Sequence, residues 1–152
     1  MDLREVNAQA PDAARHPWEL ARLDVMFDLL KGVLNKDGKS VCVDIGCGDT
    51  FVVESISKKY PATSHYAVDI EFDDEYMHSY HTLHTEDKIH LFKSLDELNS
   101  QYSGIQADLV LLMDVIEHIE DDAGFLKMLY SQPFITPKTK IFITVPAFQS
   151  LW

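Results

Sequence analysis

Five short apolar runs punctuate the chain: "SVCVDI" (40–45), "HYAVDI" (65–70), "KIHLF" (88–92), "ADLVLLM" (107–113) and "KIFITV" (140–145). They are rich in Val, Ile and Leu without strict alternation, the pattern of strands covered on both faces, as in a parallel sheet. Between them, "TFVVESISKKY" (50–60) and "DDAGFLKMLYSQ" (121–132) carry helical periodicity and are long enough for crossovers, the second with Asp121 or Asp122 as its cap. Ahead of the first run, "PWELARLDVMFDLLK" (17–31) sets Leu20, Leu23, Phe27 and Leu30 on one helical stripe, with Pro17 suited to the first helical position. Trp18, Phe27 and Phe125 fall on the same kind of pattern and read as core, with a role for Trp18 and Arg22 over an acceptor site as the alternative. Strands alternating with helices predict an open, doubly wound, Rossmann-like α/β sheet that is mainly parallel, with helices on both faces.

The polar residues that interrupt this pattern sit where the strands end. Asp44, Gly46 and Gly48 close the first strand, Asp69 the second, Ser94 follows the third, and Asp114, Glu117 and His118 follow the fourth. In open α/β sheets ligands bind outside the carboxyl ends of the strands, near the point where the winding reverses, so these residues converge on one crevice. Glycine at 46 and 48 removes the Cβ atoms that would keep a ligand from the backbone. A carboxylate at the end of the second strand, Asp69, can accept hydrogen bonds from both hydroxyls of a ribose. The ligand expected is therefore a nucleoside. Asp44 and Asp49 beside the glycine loop, and Thr50 in place of a third glycine, disfavour the pyrophosphate of NAD and favour a ligand that is cationic and carries no phosphate. S-adenosylmethionine, with a ribose, an ammonium and a sulfonium, fits that description.

These strings resemble the class I S-adenosylmethionine-dependent methyltransferases, and within them the small bacterial type 11 or type 12 group. "VDIGCGDT" looks like the first motif, "AVDI" the second, and "ADLVLLMDVIEHIEDD" the segment after the fourth strand; "HPWELARL" and "ITVPAFQSLW" are similar to the flanking segments. The resemblance implies that Asp44, Gly46, Cys47 and Gly48 surround the methionyl part and that Asp69 and Ile70 hold the ribose. It places Ser94 and Leu95 near the adenine, with Met113 and Asp114 closing the pocket. It also implies a seven-stranded sheet whose last strands this chain lacks, so truncation after the fifth strand is the expectation. Residues 1–36 are then an N-terminal helical segment, and 37–152 a C-terminally incomplete cofactor-binding domain. Thr50, where the group has a glycine, is expected to shift the loop.

The function expected is methyl transfer from S-adenosylmethionine, by direct displacement, to an acceptor that the sequence does not name and that we expect to be a small molecule. S-adenosylhomocysteine is the product. The alternatives are an NAD-binding oxidoreductase domain and a non-catalytic nucleoside-binding module. His118 is the candidate general base, because neutral imidazole can take a proton near pH 7; a structural role in its loop is the competing reading.

Charge and composition narrow the partners. A formal net charge of −12 repels a phosphate backbone, so nucleic acid is not expected as substrate. No apolar stretch reaches the roughly 18 residues of a membrane span and no secretory signal pattern opens the chain, which predicts a cytoplasmic protein. Cys42 and Cys47 have neither zinc nor redox spacing and read as a buried thiol and a loop thiol. His78, His81 and His84 share a spacing that a helical metal site would use, but a solvated segment after the second strand is the simpler reading and no metal is expected. The apolar ending on Leu151 and Trp152, next to an open fifth strand, makes a homodimer through the exposed sheet edge an expectation.

Overall fold

In a computed structural model, residues 15–35, 37–84 and 88–146 are described. Helix α1 (Pro17–Leu29) leads into β1 (Val41–Ile45), α2 (Phe51–Lys59), β2 (Ser64–Val68), α3 (Asp74–Leu83), β3 (Ile89–Phe92), α4 (Leu95–Gln101), β4 (Leu109–Met113), a 3₁₀ turn (Ile116–His118), α5 (Asp122–Tyr130) and β5 (Lys140–Thr144). The strands form one sheet in the order β3-β2-β1-β4-β5, and every neighbouring pair is parallel. The winding reverses between β1 and β4, so the switch-point crevice opens there.

The period of two along each strand sorts the core into layers. Val43, Ile45, Tyr66, Val68, Phe92, Val110 and Leu112 face Leu98 of α4 and Leu129 of α5. On the opposite face, Cys42, Leu109, Leu111 and Met113 pack with Met26, Phe27 and Leu30 of α1 and Ile56 of α2. Ala67, Ile89 and Leu91 pack there with Val53 of α2 and Tyr80 of α3. This is the doubly wound arrangement that the apolar runs predict.

Two segments gain detail over the sequence reading. The segment 74–83, read as solvated, is mostly exposed and is organised as helix α3, capped by Asp73, whose side chain accepts from the Tyr76 N–H at 2.7 Å. It is anchored by a single fully buried residue, Tyr80, which is why its apolar signal is weak. Among the described residues no group of three His, Cys, Asp or Glu is placed to hold a metal, and no helix is long and apolar enough to cross a membrane.

On α1 the expected stripe holds except at Leu20: Leu23 packs partly buried beside buried Met26, Phe27 and Leu30, whereas Leu20 is 47% exposed, Trp18 is 44% exposed and Glu19 is buried. Trp18 is therefore not core, and the lower end of the buried stripe is polar. Phe125 lies partly buried against the α4/α5 layer. Both cysteines are free and buried. Asp121 is the cap of α5, accepting from the Gly124 N–H at 2.9 Å. At the sheet's edge Ile141 and Ile143 of β5 are each 39% exposed; Leu151 and Trp152 lie outside the described residues.

Candidate cofactor crevice

β1 delivers Asp44 to the crevice by parity: it shares the α1-facing side of the strand with Cys42 and is wholly buried. Neither carboxylate oxygen has a hydrogen-bond partner. Burial, reinforced by the negative charge of Asp69, pushes its carboxyl up to about 7. An orphaned acid at a switch point is costly to a fold that gains nothing from it, and marks a place where a cation or donor is missing.

The loop after β1 is built on left-handed backbone at every second residue: Gly46 at φ 68°, Gly48 at φ 58° and Thr50 at φ 66°. Thr50 thus adopts the conformation a third glycine would take, at a cost of roughly 1 kcal/mol or more for a β-branched residue. Its hydroxyl donates to Glu54 Oε1 at 2.9 Å. The Gly46 N–H donates to Val68 O at 2.8 Å, and the Gly48 N–H to Asp69 Oδ2 at 2.8 Å. The other oxygen of Asp69 accepts from the Glu71 N–H at 2.9 Å. Asp69 therefore ties the glycine loop to the end of β2, while each oxygen keeps a second lone pair for a ligand hydroxyl.

Gly46 is fixed by space as well as by conformation. A Cβ there would stand 2.6 Å from Val115 Cγ2. Gly46→Ala is expected to destabilise the fold by about 1–3 kcal/mol, because the overlap and the left-handed backbone act together. Thermal unfolding should show a fall of several degrees; an unchanged melting temperature would mean that the loop relaxes freely.

α1 forms the wall opposite the glycine loop. The crevice is lined by Glu19 and Arg22 from α1, by Asp44, Gly46, Cys47 and Asp49, by Phe51 and Val52 of α2, and by Met113 of β4; it encloses about 20 Å³. That is room for about one water molecule. Glu19 is 4% exposed and accepts from the His16 N–H at 3.1 Å as the far half of a capping box. Arg15 pairs with Asp49, one of the lining carboxylates, and lies over the Phe51 ring at 4.1 Å. Arg22 pairs with Asp114 and stacks on Trp18 at 4.6 Å.

The structure thus gathers Asp44, Gly46, Cys47 and Met113 around one space, with Gly48 and Asp69 joined beside it. Asp114 is at the border, also on left-handed backbone at φ 57°. Its N–H donates to Thr144 O at 3.1 Å and its Oδ1 accepts from Thr144 Oγ1 at 2.8 Å. The remaining expected site residues do not line this enclosed space. Ile70 is 86% exposed just past Asp69. The Ser94 hydroxyl caps α4, accepting from the Glu97 N–H at 3.1 Å, and Leu95 packs against the α4/α5 layer. His118 ends the 3₁₀ turn with an exposed ring, its N–H donating to Val115 O at 3.1 Å. Glu19 escapes the sequence reading as a crevice residue, and Arg22 enters it only as an alternative, with Trp18, over an acceptor site. The signal was available: both are charged residues on the helical stripe that continues through Met26 and Leu30.

Among curated proteins, none matches the sequence. Several solved structures share its fold. A coclaurine N-methyltransferase bound to N-methylheliamine and SAH superposes with a TM-score of 0.65 at 15% identity, covering 89% of this chain and 37% of that one. A plantazolicin methyltransferase in complex with a triazolic desmethylPZN analog and SAH gives 0.56 at 22% identity, covering 81% and 44%. An O-methyltransferase family protein from Burkholderia thailandensis gives 0.55 at 16%, covering 79% and 36%. The chain spans less than half the length of each of these three. A family model described as a methyltransferase domain matches residues 18–151, nearly all of the described fold, and the chain belongs to that methyltransferase-domain family.

Proposed function

We propose that the chain binds S-adenosylmethionine in the crevice at the β1/β4 switch point and serves the transfer of its methyl group to a nucleophilic acceptor. The observation that carries this reading is Asp44, a wholly buried carboxylate with both oxygens unpartnered. Such a group matches an ammonium, and with Glu19 and Asp49 beside it it opposes a pyrophosphate. When bound, the cofactor would supply a sulfonium methyl group: an acceptor lone pair would bond to the methyl carbon as the S–C bond breaks and its electrons return to sulfur.

The chain's own residues hold and orient. Asp69 keeps the Gly48 N–H in place and offers its remaining lone pairs to the ribose hydroxyls. The glycine loop lets the ligand approach the backbone, and Asp44 holds the ammonium end. Positioning of this kind supplies much of the acceleration of a displacement that needs no obligatory general base. His118, exposed on the turn after β4, is proposed as the group that takes a proton from acceptors that carry one. The enclosed space is about 20 Å³, so binding a ligand of the cofactor's size would widen the crevice.

The coclaurine N-methyltransferase holds N-methylheliamine and the plantazolicin methyltransferase a desmethylPZN analog, which supports a small or peptide-derived acceptor as the class to screen first. Pairing between two chains would use the outer edge of β5, where Ile141 and Ile143 are half exposed.

Thermal-shift titration with S-adenosylmethionine, S-adenosylhomocysteine and NAD tests the cofactor reading. Both adenosyl ligands are expected to raise the melting temperature in proportion to the logarithm of their concentration above the dissociation constant, and NAD to leave it unchanged. Protection by NAD alone would replace this reading with that of an oxidoreductase domain.

A further inference from the structure

All three left-handed residues of the loop after β1 are tied to one neighbouring segment, the stretch from the end of β2 into α3. The Gly46 N–H donates to Val68 O at 2.8 Å, and the Gly48 N–H to Asp69 Oδ2 at 2.8 Å. The third tie joins two side chains: the phenol of Tyr76, on α3, makes a hydrogen bond with the Thr50 hydroxyl. Thr50 is buried, and its hydroxyl proton goes to Glu54 Oε1 at 2.9 Å. The oxygen's lone pairs are left to accept from Tyr76. Burial above all pushes the phenol up to about 12, so it keeps the proton it donates throughout the neutral range.

Tyr76 is itself fixed. Its ring stacks on Phe72, with 5.1 Å between centroids and 11° between planes, and lies 6.3 Å from the Tyr80 ring. Phe72 is buried and its N–H donates to Asp69 O at 3.3 Å, so the ring stack and the acid that holds Gly48 belong to one unit. The first two ties fall on glycines, which take positive φ without strain. The third falls on a β-branched residue at φ 66°, whose side chain crowds its own backbone there. Thr50 also starts α2, where its carbonyl accepts from the Glu54 N–H at 2.9 Å. A shift of Thr50 out of the left-handed region therefore moves the loop and the first turn of the helix together.

We propose that Tyr76 is a positioning residue for cofactor binding: its phenol clamps the Thr50 side chain, so that a strained threonine holds the glycine loop in the shape that receives the ligand. This rests on the cofactor reading above and adds to it a residue outside the crevice lining, which acts through Thr50 and not by touching the ligand. The clamp does for threonine what conformational freedom does for a glycine. Without it Thr50 returns for part of the time to the right-handed or extended regions, and the apparent affinity falls with the fraction of chains whose loop is competent.

A double-mutant cycle tests the assignment. Calorimetry with S-adenosylhomocysteine, on full chains shown to be folded by circular dichroism, compares wild type, Tyr76→Phe, Thr50→Gly and the double variant. Tyr76→Phe keeps the ring stack and removes only the hydroxyl; its affinity should fall roughly three- to tenfold, the effect of one neutral hydrogen bond. On the Thr50→Gly background the same change should cost nothing, because glycine reaches positive φ unaided. A phenol that only supports packing would move the melting temperature but not this coupling. Thr50→Val, which lacks the hydroxyl and keeps the branch, should lose as much as Tyr76→Phe, with no further loss when the two are combined; this second cycle decides the matter if the glycine variant does not fold. An equal loss on both backgrounds, no loss on either, or a folded Thr50→Gly without measurable binding overturns the assignment, while binding by the wild type upholds the cofactor reading. A folded wild type that does not bind S-adenosylhomocysteine overturns the cofactor reading and the assignment with it.

Discussion

Asp69→Ala is expected to abolish measurable binding of S-adenosylmethionine, with a loss of at least a hundredfold. The carboxylate has two tasks. It accepts the Gly48 N–H at 2.8 Å and the Glu71 N–H at 2.9 Å, and it has lone pairs left for two ribose hydroxyls. Hydrogen bonds to a charged acceptor contribute about 1.5–3 kcal/mol each, so losing both ligand bonds alone predicts roughly 10² to 10⁴ in affinity. The lost loop contacts add a fall in stability of about 1–3 kcal/mol, since two backbone donors lose their acceptor. Calorimetric titration and thermal unfolding read the two effects separately. Asp69→Asn, whose side-chain oxygen can still accept, should retain more of the stability than of the binding. An affinity within threefold of wild type in the alanine variant would remove the nucleoside from this site.

What could be read from the sequence follows from how each feature is encoded. Strands β1 to β4 are short apolar runs buried on both faces, and β5 keeps the same composition although it is largely exposed; such runs need no knowledge of partners. Helices α1, α2 and α5 declare themselves because apolar residues recur on one face. Helix α3 does not, since it is held by a single fully buried residue, Tyr80, among three histidines; α4 is only seven residues long, too short to establish a period. The crevice divides in the same way. Asp44, Gly46, Gly48 and Asp69 are visible because strand ends and glycine spacing locate them along the chain. Glu19 and Arg22 depend on which way α1 is rotated. Leu20 misleads on that point: Leu23, Met26, Phe27 and Leu30 set the face that packs on the sheet, and continuing that face toward the N-terminus brings Glu19 and Arg22, not Leu20, to the crevice. At Ser94 the structure shows a hydroxyl that caps α4, and nothing local in the sequence distinguishes a cap from a ligand contact.

The second large effect lies in Asp44, and its sign follows from burial. With its carboxyl at about 7 in the fold, pushed up by burial and then by Asp69, against 3.8 for an ordinary aspartate, the folded chain retains a proton that the unfolded chain gives up. Below about pH 3 both states are protonated and Asp44 costs no pH-dependent energy. From pH 4 to 7 the unfolded state ionises first, so stability falls; above 7 the loss is complete, at about 4 kcal/mol. Asp44→Asn removes the titration. Denaturant unfolding at pH 4 and pH 8 should therefore show the wild type losing about 4 kcal/mol more than the variant. Binding should run the other way. An ammonium selects the ionised form, so wild-type affinity for S-adenosylmethionine is expected to rise with pH up to about 7 and then level, with protons released below that point. Titration in two buffers of different ionisation enthalpy counts them. Asp44→Asn should bind roughly a hundredfold more weakly at pH 8, with no proton release. Equal pH slopes for the two proteins would mean that Asp44 finds a partner in solution, and the case for a cationic ligand would lose its main support. If instead the slope and the affinity disappear together, the same unpartnered carboxylate both weakens the empty fold at neutral pH and selects its ligand.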